Sequence, residues 1–556
     1  MGNLEAPLGW VTRALGLLLA AVALTALVAP RNTWFVLPPV VVWVSTAAVL
    51  LLVAVGRRPA RAAAGLVARR PGTCVALGTV VGGALTALHL PLALVDFGWD
   101  ARSVYWAAER WVQGTEQTAA GLEYFAKFPN NIPLLAYEGT VLRVGAGLGL
   151  SSTSALLAAQ LGCVLVILWC LGSTLVRLGR PGAVWPVQAL TTMLLGLNAN
   201  LSMPYSDVPA AAAVAVALWA AVRAGTGAGR RWWAPALLAL VVAVAFKAYA
   251  VALAVGALAL VPGLVRRKGV LVATGTVLLA GAGLVAGVMT LHGVAARAVD
   301  LTAGTRATAE PAYPPLHFLG MGTYDSGDPS PTRTYGGWSE KYVRATGGEL
   351  DPQAREAMLR RMVRDQIVER GVAGNVSFFA RKVAWTWGDG TFWAFGEGTD
   401  KDAVGALGPE WSSAQRWFVG SGEPYQRWTA PVTQGVWVAT LLLTAVGAWR
   451  SRDRAWVPVC ALGLVTLTAY LTLFESRPRY LVALLPLLLL LTGLTTGRVV
   501  ALRADSRQHA SAQSGMRWES DPGRGTVVAR TDDPGQGLQR SSTDVDRRDS
   551  PRGTYG

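Results

Sequence analysis

Long apolar runs follow one another along this chain, and most of its arginines gather in the short gaps between them. A run of roughly 20 apolar residues is the length at which an α-helix crosses a hydrocarbon core of ~30 Å. In lipid, a helix is the open-chain form that satisfies its own backbone hydrogen bonds. The alternation therefore predicts an all-α integral membrane protein. At 556 residues, with 52% hydrophobic and only 15% charged, the chain is too apolar for one ordinary soluble core, and a bilayer has to act as its solvent. The net charge of +16 sits in loop clusters of the kind that face the cytoplasm, so the lipid bilayer is expected as a partner and nucleic acid is not. Cys74, Cys163, Cys170 and Cys460 all fall within apolar stretches, where a thiol behaves as a small hydrophobe. No disulfide framework or metal-ligand spacing is visible.

About 12 transmembrane helices are expected, near 11–30, 34–55, 73–95, 153–176, 182–202, 208–223, 232–246, 248–263, 269–291, 433–450, 455–474 and 479–497. The first is read as a retained span, because a second apolar run follows it almost at once. The stretch around Lys247 is split in two. Left whole, about 31 residues would make ~46 Å of helix, well beyond the core thickness, with a lysine at its middle. With twelve spans, the clusters at Arg57–Arg70, Arg177–Arg180, Arg223–Arg231, Arg266–Lys268 and Arg450–Arg454 all fall on one side. That side is cytoplasmic by the positive-inside rule, which puts both termini inside.

The predicted organisation is N-terminal spans over 1–95, a first extracytoplasmic loop with interfacial helices over 96–152, and central spans over 153–291. A large extracytoplasmic loop follows over 292–432, long enough to hold a small ordered subdomain, then C-terminal spans over 433–497. The tail over 498–556 is polar and low in apolar residues, and is expected to be disordered.

Charged residues at a membrane mouth are costly to place and so mark candidate chemistry. Asp96 and Asp100 open the first loop, where a low-dielectric rim raises a carboxylate's proton affinity toward that of a general base; Asp100 is equally placed to cap the helix that follows. Asn130 and Asn131, after Phe128-Pro129, offer amides beside aromatic rings to a polyhydroxyl ligand, or simply shape a turn. Arg477 and Arg479, with Tyr480 next to them, lie on the side opposite to the basic clusters. Paired guanidinium forks there suit a phosphate at headgroup depth, or snorkel as anchors. Lys247 is a further cation for the same anion. Asp207 lies in the tight turn between two spans, and His317 stands beside glycines in the large loop. No phosphate-binding Walker loop, dinucleotide glycine fingerprint or HExxH metal pattern occurs.

This set resembles the GT-C superfamily of polytopic membrane glycosyltransferases, most closely the bacterial branch related to glycosyltransferase family 39. The resemblance rests on Gly98-Trp99-Asp100, Phe128-Pro129-Asn130-Asn131, Pro204-Tyr205-Ser206-Asp207, Phe246-Lys247, the segment from His317 to Gly322, and that from Glu475 to Tyr480. It covers about residues 90 to 497. It implies a GT-C-like fold in a bacterial plasma membrane, with an extracytoplasmic active site. There a sugar would pass with inversion from a polyprenyl-phosphate donor to a cell-envelope glycan, lipid or protein. Carried over, Asp100 is the first candidate base and Asp96 the second; Arg479, Arg477 and Lys247 are candidate phosphate ligands, and Asn130, Asn131, Asp207, His317 and Tyr480 candidate substrate contacts. Many relatives carry Asp-Glu where this chain has Asp100-Ala101, which leaves the choice of carboxylate and the need for a divalent metal open. The sequence itself supports no metal and requires no cofactor beyond the lipid-linked sugar. The competing reading is a transporter or flippase of a lipid-linked or anionic substrate, which predicts internal repeats and ionisable residues near the bilayer midplane. No repeat is found, and the candidates cluster at one face.

Overall fold

The structure, a computed structural model, describes residues 5–30, 36–301, 312–328, 333–349, 351–396, 402–404, 407–451, 453 and 455–496, without the side chains of residues 5, 57, 58, 60 and 61. Among the described residues there are helices and only two isolated β-bridges, Val95 with Ala403 and Asp325 with Tyr335. The predicted tail over 498–556 lies outside the described residues.

The N-terminal part comprises α1 (Glu5–Val28), α2 (Pro39–Val55), the short basic α3 (Arg57–Arg69) and α4 (Pro71–Leu92). After α4 come three shorter helices, α5 (Trp99–Val112), α6 (Ala119–Lys127) and α7 (Ile132–Gly147), then α8 (Ser152–Arg177) and α9 (Val184–Thr191). The central part continues with α10 (Asp207–Gly225), α11 (Trp233–Phe246), α12 (Val251–Ala257), α13 (Val261–Lys268) and α14 (Val270–Ala298). The large loop holds α15 (Pro315–Gly322), α16 (Glu340–Gly348), α17 (Pro352–Gly388) and the single turn α18 (Ser412–Gln415). The chain then closes with α19 (Ala430–Arg450), α20 (Trp456–Leu473) and α21 (Leu485–Thr496).

Among the described helices, nine are long and apolar enough to cross a membrane. The segments expected at 34–55, 182–202 and 232–246 are helical but fall short of that length. α2 has 17 residues and α11 has 14, while α9 passes into a π-turn at Thr192–Gly196 and then a 3-10 turn at Ala199–Ser202. The hydroxyls of Thr191 and Thr192 bond back to Val187 O and Gln188 O, a pattern that loosens and bends a helix. The expected break at Lys247 is present: its backbone is extended (φ −143°, ψ 106°) between α11 and α12. α7, with Glu138 and Arg143, is not among the helices able to cross.

Bundle helices approach closely where side chains are small, as membrane helices must when hydrophobicity does not drive them together. A Cβ on Gly256 would stand 2.5 Å from Val459 O, and one on Gly463 3.2 Å from Ala252 O, so α12 and α20 touch backbone to backbone. The Pro478–Thr496 segment is the centre of the bundle, 83% of its apolar window being buried, whereas α14 is peripheral at 11%.

The two ends of the bundle differ in charge. At one, Arg177 donates to Thr226 (2.6 Å to Oγ1), Arg180 lies 3.9 Å from Asp453, Arg223 packs on Trp219 and Trp232, and α3 lies against Pro181–Ala183. The other carries the first loop and the large loop. The basic segments around Arg177–Arg180 and Arg223, with α3, thus meet at one end.

Candidate functional site

Asp100 lies in the first turn of α5, immediately after Trp99, whose φ of 41° lies in the left-handed region. Such a conformation is strained for an aromatic residue and is held only where its surroundings over-determine it; here the Trp99 ring packs 5.5 Å from that of Trp338. Asp100 does not cap α5. Its carboxylate accepts from Tyr124 Oη at 3.0 Å and lies 3.3 Å from Tyr205 Oη. Tyr124 Oη in turn accepts from Asn131 Nδ2 at 2.6 Å, and Asn130 Nδ2 donates to Asn131 Oδ1 at 3.3 Å. The two asparagines therefore orient the tyrosine that orients Asp100. Burial, reinforced by the neighbouring Asp100 charge, pushes the Tyr124 and Tyr205 hydroxyls well above the ordinary tyrosine range, so both remain protonated donors. Asp96 is placed differently. It is exposed, pairs with Arg102 at 2.9 Å, and accepts from the backbone of Phe97.

Beside this group lies a second one, built from three parts of the chain. Asp207 opens α10, Lys247 ends α11, and Arg479 sits in the 3-10 turn Pro478–Leu484. Lys247 Nζ is 3.1 Å from Asp207 Oδ1 and Arg479 Nε is 3.3 Å from Asp207 Oδ2, while Tyr249 donates to Oδ1 at 3.2 Å. Asp207 and Arg479 are buried, and the Lys247 side chain is 10% exposed. Tyr205 joins the two groups: its ring lies 4.5 Å from Lys247 Nζ and 4.8 Å from the Arg479 guanidinium carbon, and its hydroxyl faces Asp100. Cations over the face of an aromatic ring are attracted by its quadrupole. Tyr480 stacks on Tyr249 (5.5 Å) under Lys247.

The two arginines expected to act together are thereby divided. Arg479 turns to Asp207, whereas Arg477 lies 3.3 Å from Glu475 Oε1, which also accepts from Tyr480. His317 is not brought to the cluster. It is fully buried in α15, with Nδ1 2.7 Å from Thr346 Oγ1, and burial, with Arg355 nearby, pushes it down to about 4, so it is neutral at ordinary pH. A row of rings, Tyr313, Phe128 and Tyr124, lies between it and Asp100.

Lys382 was not singled out by the sequence, where it is one basic residue in a helix with several. It is fully buried, and its Nζ donates to Gly322 O (2.7 Å), Thr472 O (3.0 Å) and Phe474 O (2.6 Å). Burial pushes its ammonium down to about 7. Around it, Glu475 N bonds Phe318 O, Ser476 N bonds Gly336 O, and Ser476 Oγ meets Thr386 Oγ1. The segment that carries Arg477, Arg479 and Tyr480 is thus sewn to the large loop. Among the described residues no group of three or more His, Cys, Asp or Glu is arranged to hold a metal ion.

A family model described as a conserved hypothetical integral membrane protein matches residues 25–500. The chain belongs to that family. Membership agrees with the nine membrane-length helices and establishes the chain as an integral membrane protein associated with a lipid bilayer. No curated protein and no solved structure matches it.

Proposed function

We propose that this member of the family is a multi-pass membrane glycosyltransferase that moves a sugar from a polyprenyl-phosphate donor to an extracytoplasmic acceptor in the bacterial cell envelope. The observation that carries the reading is the junction at Tyr205, with a carboxylate held by tyrosine hydroxyls on one side and a lysine and a buried arginine on the other. In the reaction, an acceptor hydroxyl or amine attacks the anomeric carbon and gives its proton to Asp100. The bond between that carbon and the phosphate oxygen breaks, and the electron pair leaves with the lipid phosphate, whose charge is met by Arg479 and Lys247. Attack from the face opposite the leaving group inverts the sugar. Asp207 holds the two cations in place until the phosphate arrives. Because phosphate is a good leaving group when cations hold its charge, one carboxylate suffices and no strong acid is needed.

A transporter would place its ionisable residues near the middle of the bundle. Here Asp207 opens a helix, Lys247 closes one, and Arg479 lies in the turn before α21, all at the end that carries the two loops. The test is to incubate purified protein with a panel of radiolabelled polyprenyl-phosphate sugars and measure release of polyprenyl phosphate. Release with at least one sugar is the expected result. Translocation of a lipid-linked substrate in proteoliposomes without any cleavage would replace this reading by the transporter one.

A further inference from the structure

α17 changes character at Gly371, whose φ of 60° and ψ of −178° break the helix into two segments. Asn375 repairs the break by donating to the carbonyls of Ile367 and Gly371, both at 2.7 Å. Before the kink the outward face is ionic: Arg360 pairs with Glu356 and Arg364 with Asp365, and both arginine side chains are 71% exposed. Around and after it exposed valines appear, with Glu369 as the exposed charge between the first two. Val368, Val372 and Val376 are 69%, 85% and 67% exposed; Val372 and Val376, four apart after the kink, share one stripe, and Val368 lies just before the break. The opposite face is spoken for, with Phe378 buried under the Arg370 guanidinium and Lys382, Trp385 and Trp387 inside the protein.

Three valines left uncovered within nine residues would be a liability in water, and the placement of the segment after the kink points to what covers them. Val376 precedes Lys382 by six residues, about 9 Å along the helix, and Lys382 is bonded to the carbonyls of Thr472 and Phe474 at the end of the membrane-length helix α20. Leu473, between those two carbonyls, is itself 52% exposed. The stripe therefore stands close along the helix to the end of α20, where Leu473 adds a further exposed apolar side chain. Arg364 before the stripe and the exposed Arg381 after it stand where long cationic side chains reach for headgroups.

We propose that the segment of α17 around Val368, Val372 and Val376 lies in the headgroup–acyl boundary of the bilayer, and that lipid is its partner. This anchors the large loop to the membrane on one side while Lys382 ties it to the bundle on the other. The inference rests on membrane integration and on the placement of α17, and is independent of the glycosyl-transfer reading. Single cysteines at Val368, Val372 and Val376, and at Glu356 and Arg361 as controls, would be spin-labelled in proteoliposomes containing anionic lipid. Collision with oxygen would then be compared with collision with a water-soluble nickel chelate, the unsubstituted protein serving as blank for the native cysteines. The expected result is oxygen dominating several-fold at the three valine sites and the nickel chelate dominating at Glu356 and Arg361. Nickel dominance at the valine sites would put the stripe in water and overturn the proposal. Low access to both reagents would mean that protein covers it, and would overturn it equally.

Discussion

Asp96 and Asp100 lie four residues apart, yet the fold gives them different surroundings. Asp96 is exposed beside Arg102, whereas Asp100 is gripped by two buried tyrosine hydroxyls. Asp100→Asn keeps the size and hydrogen-bonding shape of the side chain but removes the base. Turnover should fall by roughly 10²-fold or more with donor affinity preserved, while Asp96→Asn should change it little; steady-state rates with donor titration separate the two. Asp207→Asn should act on binding instead. Removing one partner of a buried charged set leaves the others uncompensated, at a cost of about 3–5 kcal/mol. The unliganded variant should melt earlier than the wild-type protein, and polyprenyl phosphate should raise its Tm by more than it raises that of the wild type. An equal rise in both would show that Lys247 and Arg479 do not receive the phosphate. Much of this site was legible in the sequence as separate short motifs at membrane mouths. Their junction was not, because the partners of Asp100 stand 24 and 105 residues away and nothing local marks Tyr205 as the residue between them.

At the scale of elements, the large loop and the last spans are joined by the Lys382 ammonium. Lys382→Met keeps most of the stem volume but leaves the carbonyls of Gly322, Thr472 and Phe474 short of a donor, each loss being on the order of 1–3 kcal/mol. The segment from Glu475 to Tyr480 should loosen, weakening donor binding more than it slows turnover at saturation, and kinetics resolved into KM and kcat would read this directly. Arginine should not rescue: Gly336 adopts φ 70° against the Lys382 amine, where even a Cβ would stand 2.5 Å away, so a guanidinium has no room. The amine also sets a pH signature. Its folded value is about 7, down from 10.5, so between those values the unfolded chain holds a proton that the folded chain has released. Stability should rise with pH across that window, and the wild-type minus Lys382→Met difference in thermal stability should show this slope. Sequence periodicity finds helices of this kind but not their irregularities. The region 182–202 reads as one span, whereas it folds as α, π and 3-10 pieces, with Asn198 and Asn200 bonding the backbone of Thr391.

For the whole molecule, the decisive property is which end faces the cytoplasm. Hydropathy makes the existence of spans legible because a bilayer imposes a length on them. Their number is less legible: α11, at 14 residues, falls short of the spanning length although its Leu238 is 65% exposed. Charge supplies what hydropathy lacks. The arginine-bearing loops around residues 177–180 and 223–231 meet at one end, and the Asp100, Asp207, Lys247 and Arg479 side chains lie at the other. The positive-inside rule assigns the first end to the cytoplasm. A reporter that works only outside the cytoplasm should therefore be active when fused after Gly337 in the large loop, and silent when fused after Ala63 or Ser511. This pattern bears directly on the chemistry, because a lipid-linked sugar displayed in the outer leaflet reaches Arg479 and Lys247 only if that end faces outward. A silent fusion at Gly337 together with an active one at Ala63 would turn the site toward the cytoplasm, and extracytoplasmic glycosyl transfer would have to be abandoned whatever the variants at Asp100 show.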